Sequence, residues 1–363
     1  MSTPTSLGLQ VSGLLGLCRA GFEKELAAEL DELAADAGLI GHVRARPNSG
    51  LVIYETYEAV PAALFEGIAD WRRPVFARQL MLWFGRVDDL PERDRATPLL
   101  DAVKAAGQRF GELVLETPDT DEAKQRSGFC RRFTEPLARV LEKTGALRTG
   151  KAGLPVLHVV FESATTAWLA AAMPQHSSPW PMGIPRLRMP GGAPSRSTLK
   201  LAEAFMTLLN EAEREATLRA GLRAVDLGAA PGGWTWQLAT RGMHVIAVDN
   251  GPLADSVLAT GMVEHLRADG FTWRPQRTVE WMVCDMVDQP SRIASLVAEW
   301  VATGRCRRAI FNLKLPMKRR LDAVEQCRTL IRKRLASVGS YDLRIKHLYH
   351  DREEVTAYLA LHK

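Results

Sequence analysis

The sequence predicts an α/β protein: a Rossmann-like, doubly wound parallel sheet in the C-terminal half, preceded by smaller α/β units. Three observations carry that expectation. Short apolar runs alternate with segments whose apolar residues recur at helical spacing. Two of the runs, 224–227 and 244–248, each close on an acid, Asp226 and Asp249, and 249 − 226 = 23 residues is the length of one strand, loop, helix and strand. Before residue 90 the order of runs is β-α-β-β-α-β, that of a ferredoxin-like unit.

Taken in order, residues 13–17 form a short buried strand, and Phe22, Leu26, Leu30 and Leu33 mark a helix. Residues 42–46 and 51–57 pair as a hairpin around the turn-forming Pro47-Asn48-Ser49-Gly50. Pro61 opens a second helix and 75–84 is a strand, completing a domain over 1–92. A second small α/β domain, 93–172, follows: helix 99–106, strand 113–116, helix 123–144 and strand 155–161. The long helix carries Lys124, Arg126, Arg131, Arg132, Arg139 and Lys143, either a surface for phosphates or a solvated face. From 163 to 202 there is no acidic residue and there are six prolines, so 173–194 is predicted to be a semi-rigid connector without a core of its own. The last domain, 195–363, opens with a helix that Ser197 caps and Glu203 supports, through Leu201, Phe205 and Leu208. Strands are expected at 278–285 and 308–314 with a helix 293–300 between them, and 343–348 and 355–361 form a terminal pair.

Composition narrows the class. Among 363 residues, 46% hydrophobic and 25% charged are globular averages, and the length suits two or three folded units. A net charge of +5 leans toward a polyanionic partner, although the excess is small for the length. The five cysteines, Cys18, Cys130, Cys284, Cys306 and Cys327, are far apart without a C-x-x-C pair, which supports neither a disulfide framework nor a zinc site and points to a reducing compartment. No apolar run has the roughly 20 residues of a membrane helix, and residues 1–12 lack the pattern of a signal peptide. A cytoplasmic protein without a membrane partner or bound metal is the expectation, and nothing in the sequence calls for an obligate protein partner.

The chain is organised around Ala224-Val225-Asp226-Leu227-Gly228-Ala229-Ala230-Pro231-Gly232-Gly233-Trp234, which reads as strand, glycine-rich turn and helix N-terminus. A dinucleotide fingerprint beginning at Gly228 would need glycine at 230, where Ala230 stands. The reading is therefore a loop for S-adenosylmethionine. Asp226, Asp249, Asp269 and Asp285 sit at predicted strand ends, which share one edge in a doubly wound sheet. Carboxylates there answer a sulfonium cation, a ribose diol and an adenine amino group. Lys314 closes an apolar strand, where a charge is costly unless used or paired, and Lys200 lies on the helix entering the sheet. A lysine whose pKa is depressed by burial or a second cation can take the proton of a ribose hydroxyl.

Five motifs occur in order: Ser195-Arg196-Ser197-Thr198-Leu199-Lys200-Leu201, the loop 226–234, Cys284-Asp285-Met286, Leu313-Lys314-Leu315-Pro316-Met317-Lys318 and Arg352-Glu353-Glu354-Val355. Together they resemble the FtsJ-type ribose 2′-O-methyltransferases, which use a Lys-Asp-Lys-Glu tetrad. From about residue 14 to residue 356 the chain is similar to the bacterial enzymes of that type that methylate a cytidine ribose in 23S ribosomal RNA. The resemblance implies a catalytic tetrad of Lys200, Asp285, Lys314 and Glu354, with Lys314 as proton acceptor; Glu353 is adjacent, and only the Glu-Val match favours Glu354. It places S-adenosylmethionine contacts on Ser197, Ala230, Pro231, Gly232, Gly233, Asp249, Asp269 and Asp285. It also implies that 93–172 is a THUMP RNA-binding domain, and that the partner is 23S ribosomal RNA or a ribosome assembly intermediate. The alternative is a catalytically silent RNA-binding assembly factor, for which Lys314 would have no use.

Overall fold

The structure, a computed structural model, describes residues 7–362. Residues 1–6, part of the stretch read for a signal peptide, and residue 363 lie outside it. The chain forms two compact units, Met1–Pro185 and Arg186–Lys363.

The N-terminal unit runs β1 (Gln10–Leu17), α1 (Glu23–Asp36), β2 (Gly41–Ala45), β3 (Leu51–Pro61), β4 (Gln79–Val87), α2 (Ala96–Ala105), β5 (Glu112–Glu116), α3 (Asp121–Lys143), β6 (Val156–Phe161) and β7 (Ala167–Ala172). Its strands make one seven-stranded sheet, β2-β3-β1-β4-β7-β6-β5. The first four keep the ferredoxin-like order, and the boundary read at 92/93 falls in the loop after β4 while the sheet continues across it through β4–β7 pairing. Helix α1 buries Leu26, Leu30 and Ala34 at helical spacing. Its acids are used as well: Glu29 accepts from Val75 N at 2.6 Å and Phe76 N at 2.9 Å, fixing the entry into β4.

Three readings need correction here. The helix expected after Pro61 is only a 3-10 turn, Ala62–Phe65, with Gly67 at φ 82° closing the region. Strand β7 was not among the elements expected in 93–172, because its Ala-Trp-Leu-Ala-Ala-Ala is buried on both faces and shows no alternation. The connector itself is packed up to Pro185: Ser177 Oγ meets His158 Nε2 at 3.2 Å, and Met182 N donates to Glu116 Oε1 at 2.7 Å. On α3, Lys124 pairs with Asp121, Arg126 with Glu122 and Arg139 with Glu135, so half of its predicted basic set is tied within the helix.

The C-terminal unit runs α4 (Ser197–Leu208), α5 (Glu211–Thr217), β8 (Arg223–Leu227), α6 (Gly233–Ala239), β9 (His244–Val248), α7 (Asp255–Leu258), β10 (Val263–Leu266), β11 (Val279–Cys284), α8 (Pro290–Ala302), β12 (Cys306–Lys314), α9 (Arg320–Leu335), β13 (Tyr341–Lys346) and β14 (Glu354–Leu361). The sheet order is β10-β9-β8-β11-β12-β14-β13. The first five strands are parallel, and β14 pairs antiparallel with both β12 and β13. Chain direction reverses its march between β8 and β11, the switch point where such sheets open a crevice beyond the strand C-termini. Among the described residues no helix is long and apolar enough to cross a membrane, and all five cysteines are buried and unbridged.

The core under the crevice joins α4, α6 and the sheet through Phe205, Leu208, Trp234, Trp281, Ile310 and Tyr358. Phe205 meets Trp281 edge-on, ring centroids 5.7 Å apart. Trp281 Nε1 donates to Thr217 O at 2.8 Å, tying α5 to the sheet. Replacing Phe205 with alanine should lower the unfolding free energy of the C-terminal unit by about 3–5 kcal/mol through lost burial and a cavity; denaturant unfolding followed by tryptophan fluorescence checks this.

Candidate active site

The loop after β8 is built on backbone conformations that favour glycine. Gly228 has φ 74° and Gly232 φ 111°. At Gly233, in ordinary helical conformation, an added Cβ would lie 2.1 Å from Ser197 Oγ, so α4 and α6 meet at their first turns only because position 233 has no side chain. Ser197 does not cap α4, as the sequence reading expected. Its Oγ pairs with Ser195 Oγ at 2.7 Å, and it packs against the loop instead. The peptide between Ala230 and Pro231 is cis. Asp249, just past β9, holds the loop from the other side: Oδ2 accepts from Ala230 N at 3.0 Å and Oδ1 from Gly251 N at 2.7 Å.

The four strand-end acids separate. Asp249 and Asp285 lie at the edge as expected. Asp269 is exposed in the loop after β10, and its Oδ1 accepts from Phe271 N at 2.8 Å. Asp226 does not join them. It sits one residue inside β8, 1% exposed, with Oδ2 accepting from Thr235 Oγ1 at 2.6 Å. Burial pushes its carboxyl up to about 7, reinforced by the charges of Asp285 and Asp249. It fastens the strand to α6 beneath the loop.

Lys200, Asp285, Lys314 and Glu354 meet in one cluster. Lys200 Nζ lies 3.2 Å from Asp285 Oδ2 and 2.5 Å from Glu354 Oε1. Lys314 Nζ lies 3.2 Å from Asp285 Oδ1 and in close contact with Glu354 Oε2. Each lysine thus touches both carboxylates. Strand register produces this: Lys314 stands directly opposite Glu354 in the β12–β14 pair. Glu353, the neighbouring candidate, is exposed and pairs with Arg320 at 2.8 Å. Burial works to lower the Lys314 pKa, but Asp285 and Glu354 outweigh it, so the net shift is upward. The depressed lysine expected from the sequence is not what this protein holds; Lys314 rests as an ammonium.

Sequence reasoning missed two residues that shape the cluster. Asn312 Nδ2 donates to Asp285 Oδ1 at 2.6 Å, and period-two spacing from Lys314 along β12 is the signal that would have found it. Glu203, read as a helix-start residue, is 2% exposed and accepts from Tyr349 N at 2.7 Å, His350 N at 3.0 Å and His350 Nδ1, which pins the loop leading into Glu354.

Residues 11–81 match the RlmM ferredoxin-like domain, 94–173 the family described as ribosomal RNA large subunit methyltransferase M, N-terminal, and 193–324 the FtsJ-like methyltransferase family. Proteins named ribosomal RNA large subunit methyltransferase M from Thauera aminoaromatica and Azoarcus sp. (strain BH72) are each 76% identical to it. The first covers 99% of this chain and 98% of its own length, the second 97% of both. One of the same name from Pseudoalteromonas translucida is 47% identical over 97% of this chain and 98% of its own. The chain belongs to the ribosomal RNA large subunit methyltransferase M family. The C-terminal unit is accordingly an FtsJ-like methyltransferase domain, and the cluster stands at the edge of its sheet where β8, β9, β11 and β12 all end.

Asp226 gives this domain a pH signature. Its folded pKa of about 7 lies above the ordinary value of 3.8, so the native state keeps a proton that the unfolded chain releases. Stability contributed by the neutral acid is complete below pH 3.8 and is lost as pH rises through 7. Asp226→Asn keeps an acceptor for Thr235 and cannot ionise. The variant should match the wild type at pH 4 and exceed it increasingly toward pH 8, as read from denaturation midpoints across pH; a gap that shrinks with rising pH would refute the assignment.

Proposed function

We propose that this protein methylates the 2′-oxygen of a cytidine in 23S ribosomal RNA, with S-adenosylmethionine as donor and Lys314 as general base. One observation carries the reading: two lysines and two carboxylates, each lysine touching both acids, stand at the strand edge beside the glycine loop. Family membership supports the ribosomal RNA substrate, and the relatives' shared name supports methyl transfer. The residues at the edge suit the donor. Asp249 and Asp269 offer carboxylates to its hydroxyl and amino groups, and Ser197 with Ala230, Pro231, Gly232 and Gly233 offers a hydroxyl and a close-lying backbone. When bound, S-adenosylmethionine supplies an electrophilic methyl group on a positively charged sulfur.

The protein's part is to place and deprotonate the acceptor. A ribose hydroxyl must lose its proton as its oxygen bonds to carbon, and a neutral Lys314 Nζ is the group to receive it. The resting ammonium has to shed a proton first. A second cation at the same edge favours that loss, because a like charge nearby disfavours the charged form. Asp285 and Glu354 hold Lys314 in place, and Lys200, in contact with both acids, offsets one of their two negative charges. Holding acceptor and donor in line supplies a further large share of the acceleration. On this reading the N-terminal unit, with its THUMP domain, binds RNA, and the enzyme works in the cytoplasm on 23S RNA or an assembling particle.

Lys314→Ala should reduce methyl transfer from labelled S-adenosylmethionine to 23S RNA by about 10²–10⁴-fold, the usual worth of a general base; a variant at full rate would remove Lys314 from that role. Because the carboxylates raise the Lys314 pKa, kcat should climb with pH through the neutral range. Glu354→Gln removes one of those charges, so its climb should begin at lower pH even though its maximum is smaller. A profile that moves to higher pH contradicts the scheme. Mapping 2′-O-methyl sites in 23S RNA from cells with and without the gene tests nucleotide and reaction together.

A further inference from the structure

The two most exposed large apolar side chains among the described residues are Met317 at 88% and Val287 at 86%. Both follow strand ends at one edge of the methyltransferase sheet. Strands β11 and β12 are parallel neighbours, with Cys284 opposite Phe311, so their C-terminal ends leave the sheet together. Val287 is the second residue after Asp285, and Met317 is the third after Lys314. At no more than about 3.6 Å per residue, Val287 Cα lies within about 7 Å of Asp285 Cα, and Met317 Cα within about 11 Å of Lys314 Cα.

Each side chain is set outward by residues that are themselves fixed. Before Val287, Met286 is turned onto the glycine loop: a Cβ added to Gly228 would meet its Cγ, and one added to Gly270 would lie 2.9 Å from its Sδ. Before Met317, Leu315 is 8% exposed and its N donates to Glu353 O at 2.8 Å. After it, Arg319 takes a left-handed conformation, φ 59°, and pairs with Asp322 at 2.6 Å on the first turn of α9. The turn between them is braced at both ends, and Met317 is exposed at its middle. A single apolar side chain in water is ordinary. Two this exposed, one shortly after each of two cluster residues, call for a common occupant.

We propose that Met317 and Val287 cover the faces of the acceptor nucleotide's base, drawn out of its stack while its own 2′-hydroxyl lies at Lys314. The proposal deepens the methyl-transfer reading and rests on it. A base and a 2′-oxygen share one ribose, so a ribose held at Lys314 carries its base to the loops that follow β11 and β12. The edges of a base are polar, but its faces are not, and in splayed RNA those faces are free to be covered. Methionine offers a flexible, polarisable thioether that follows a π face, and valine a stiff branched one. Neither reads the hydrogen-bonding edge, so the pair places the nucleotide without choosing it. Lys318, next in the chain, is exposed and makes no ion pair among the described residues. Its ammonium suits the phosphate of the same strand.

The test uses the full-length protein and two RNAs. One is a 23S fragment containing the cytidine located by the methylation map; the other carries an abasic ribose there, which keeps the 2′-hydroxyl. On the cytidine RNA, Met317→Ala and Val287→Ala should each lower kcat/KM by about 3–10-fold, the scale of uncovering one or two methylene-sized groups. Met317→Leu should restore most of the rate. KM for S-adenosylmethionine and the thermal midpoints should not move, because both side chains lie on the surface. On the abasic RNA the wild type should already be slowed, and the alanine variants should lose nothing further, the coupling of a double-mutant cycle. Lys318→Ala should cost both RNAs alike. Equal losses from Met317→Ala and Val287→Ala on the two RNAs, or no loss on either, would overturn the base contact and leave the methyl-transfer reading standing. A Lys318 loss confined to the cytidine RNA would overturn the division between base and phosphate contacts. No transfer by the wild type to the cytidine RNA would overturn the reading and the base contact together.

Discussion

The C-terminal unit depends on one constraint: two lysines and two carboxylates must be withdrawn from water together. Lys200 and Glu354 are each 7% exposed, and neither would be tolerated there alone, because an unpaired buried charge costs several kcal/mol while a fully bonded set roughly breaks even. Each charge therefore has two opposite partners. Satisfying that condition requires α4, the end of β11, the end of β12 and the start of β14 to arrive at one point. The antiparallel insertion of β14 beside β12 is the step that makes it possible, because a parallel strand in that slot would bring its C-terminal end, not its first residue, to Lys314.

Register is then critical. A one-residue slip of β14 would turn Glu354 to the opposite face and bring Glu353 opposite Lys314. The slip is guarded at both sides of the pair. Glu353 is engaged outside by Arg320, while Glu203 and Asp351 bind the backbone of the loop that enters β14. The basic run from 305 to 334 is divided in the same way. Arg305, Arg307 and Arg308 are committed to Glu299 and Glu280 at the start of β12, whereas Lys318, Arg319 and Arg320 follow its end, on the side of the cluster.

What the sequence made legible follows from where period and chemistry coincide. The strand runs at 224–227, 244–248, 278–285 and 308–314 are apolar because both sheet faces are covered, and each was readable by composition. Asp285, Lys314 and Lys200 stood out from their strand-end and helix positions, but Glu354 and the joining of all four into one set were legible only through a resemblance, since 154 residues separate the first from the last and no local pattern joins them. Asp226 misled because a strand's final acid and its penultimate one look alike in sequence, yet the pleat sends them to opposite sides. Strand β7 was hidden by alanines that give no alternation. Helix α9 was hidden under its own charges, although Val324, Cys327, Ile331 and Leu335 bury at helical spacing.

Charge balance links the resting geometry to the proposed reaction. In the free protein two ammonium groups face two carboxylates and the cluster is neutral, which is why Lys314 holds its proton more tightly than a free lysine despite partial burial. Adding one fixed positive charge at the same edge leaves the set with an excess of one. The least costly way to restore neutrality is release of a proton, and Lys314 is the more exposed of the two lysines, with a side chain 27% accessible against 9% for Lys200. The group that can return a proton to solvent is thus the one beside the acceptor's approach. Under the proposed reaction, a base that is neutral only when a cation is bound would be inactive toward RNA alone, and deprotonation would be coupled to donor occupancy without any moving part.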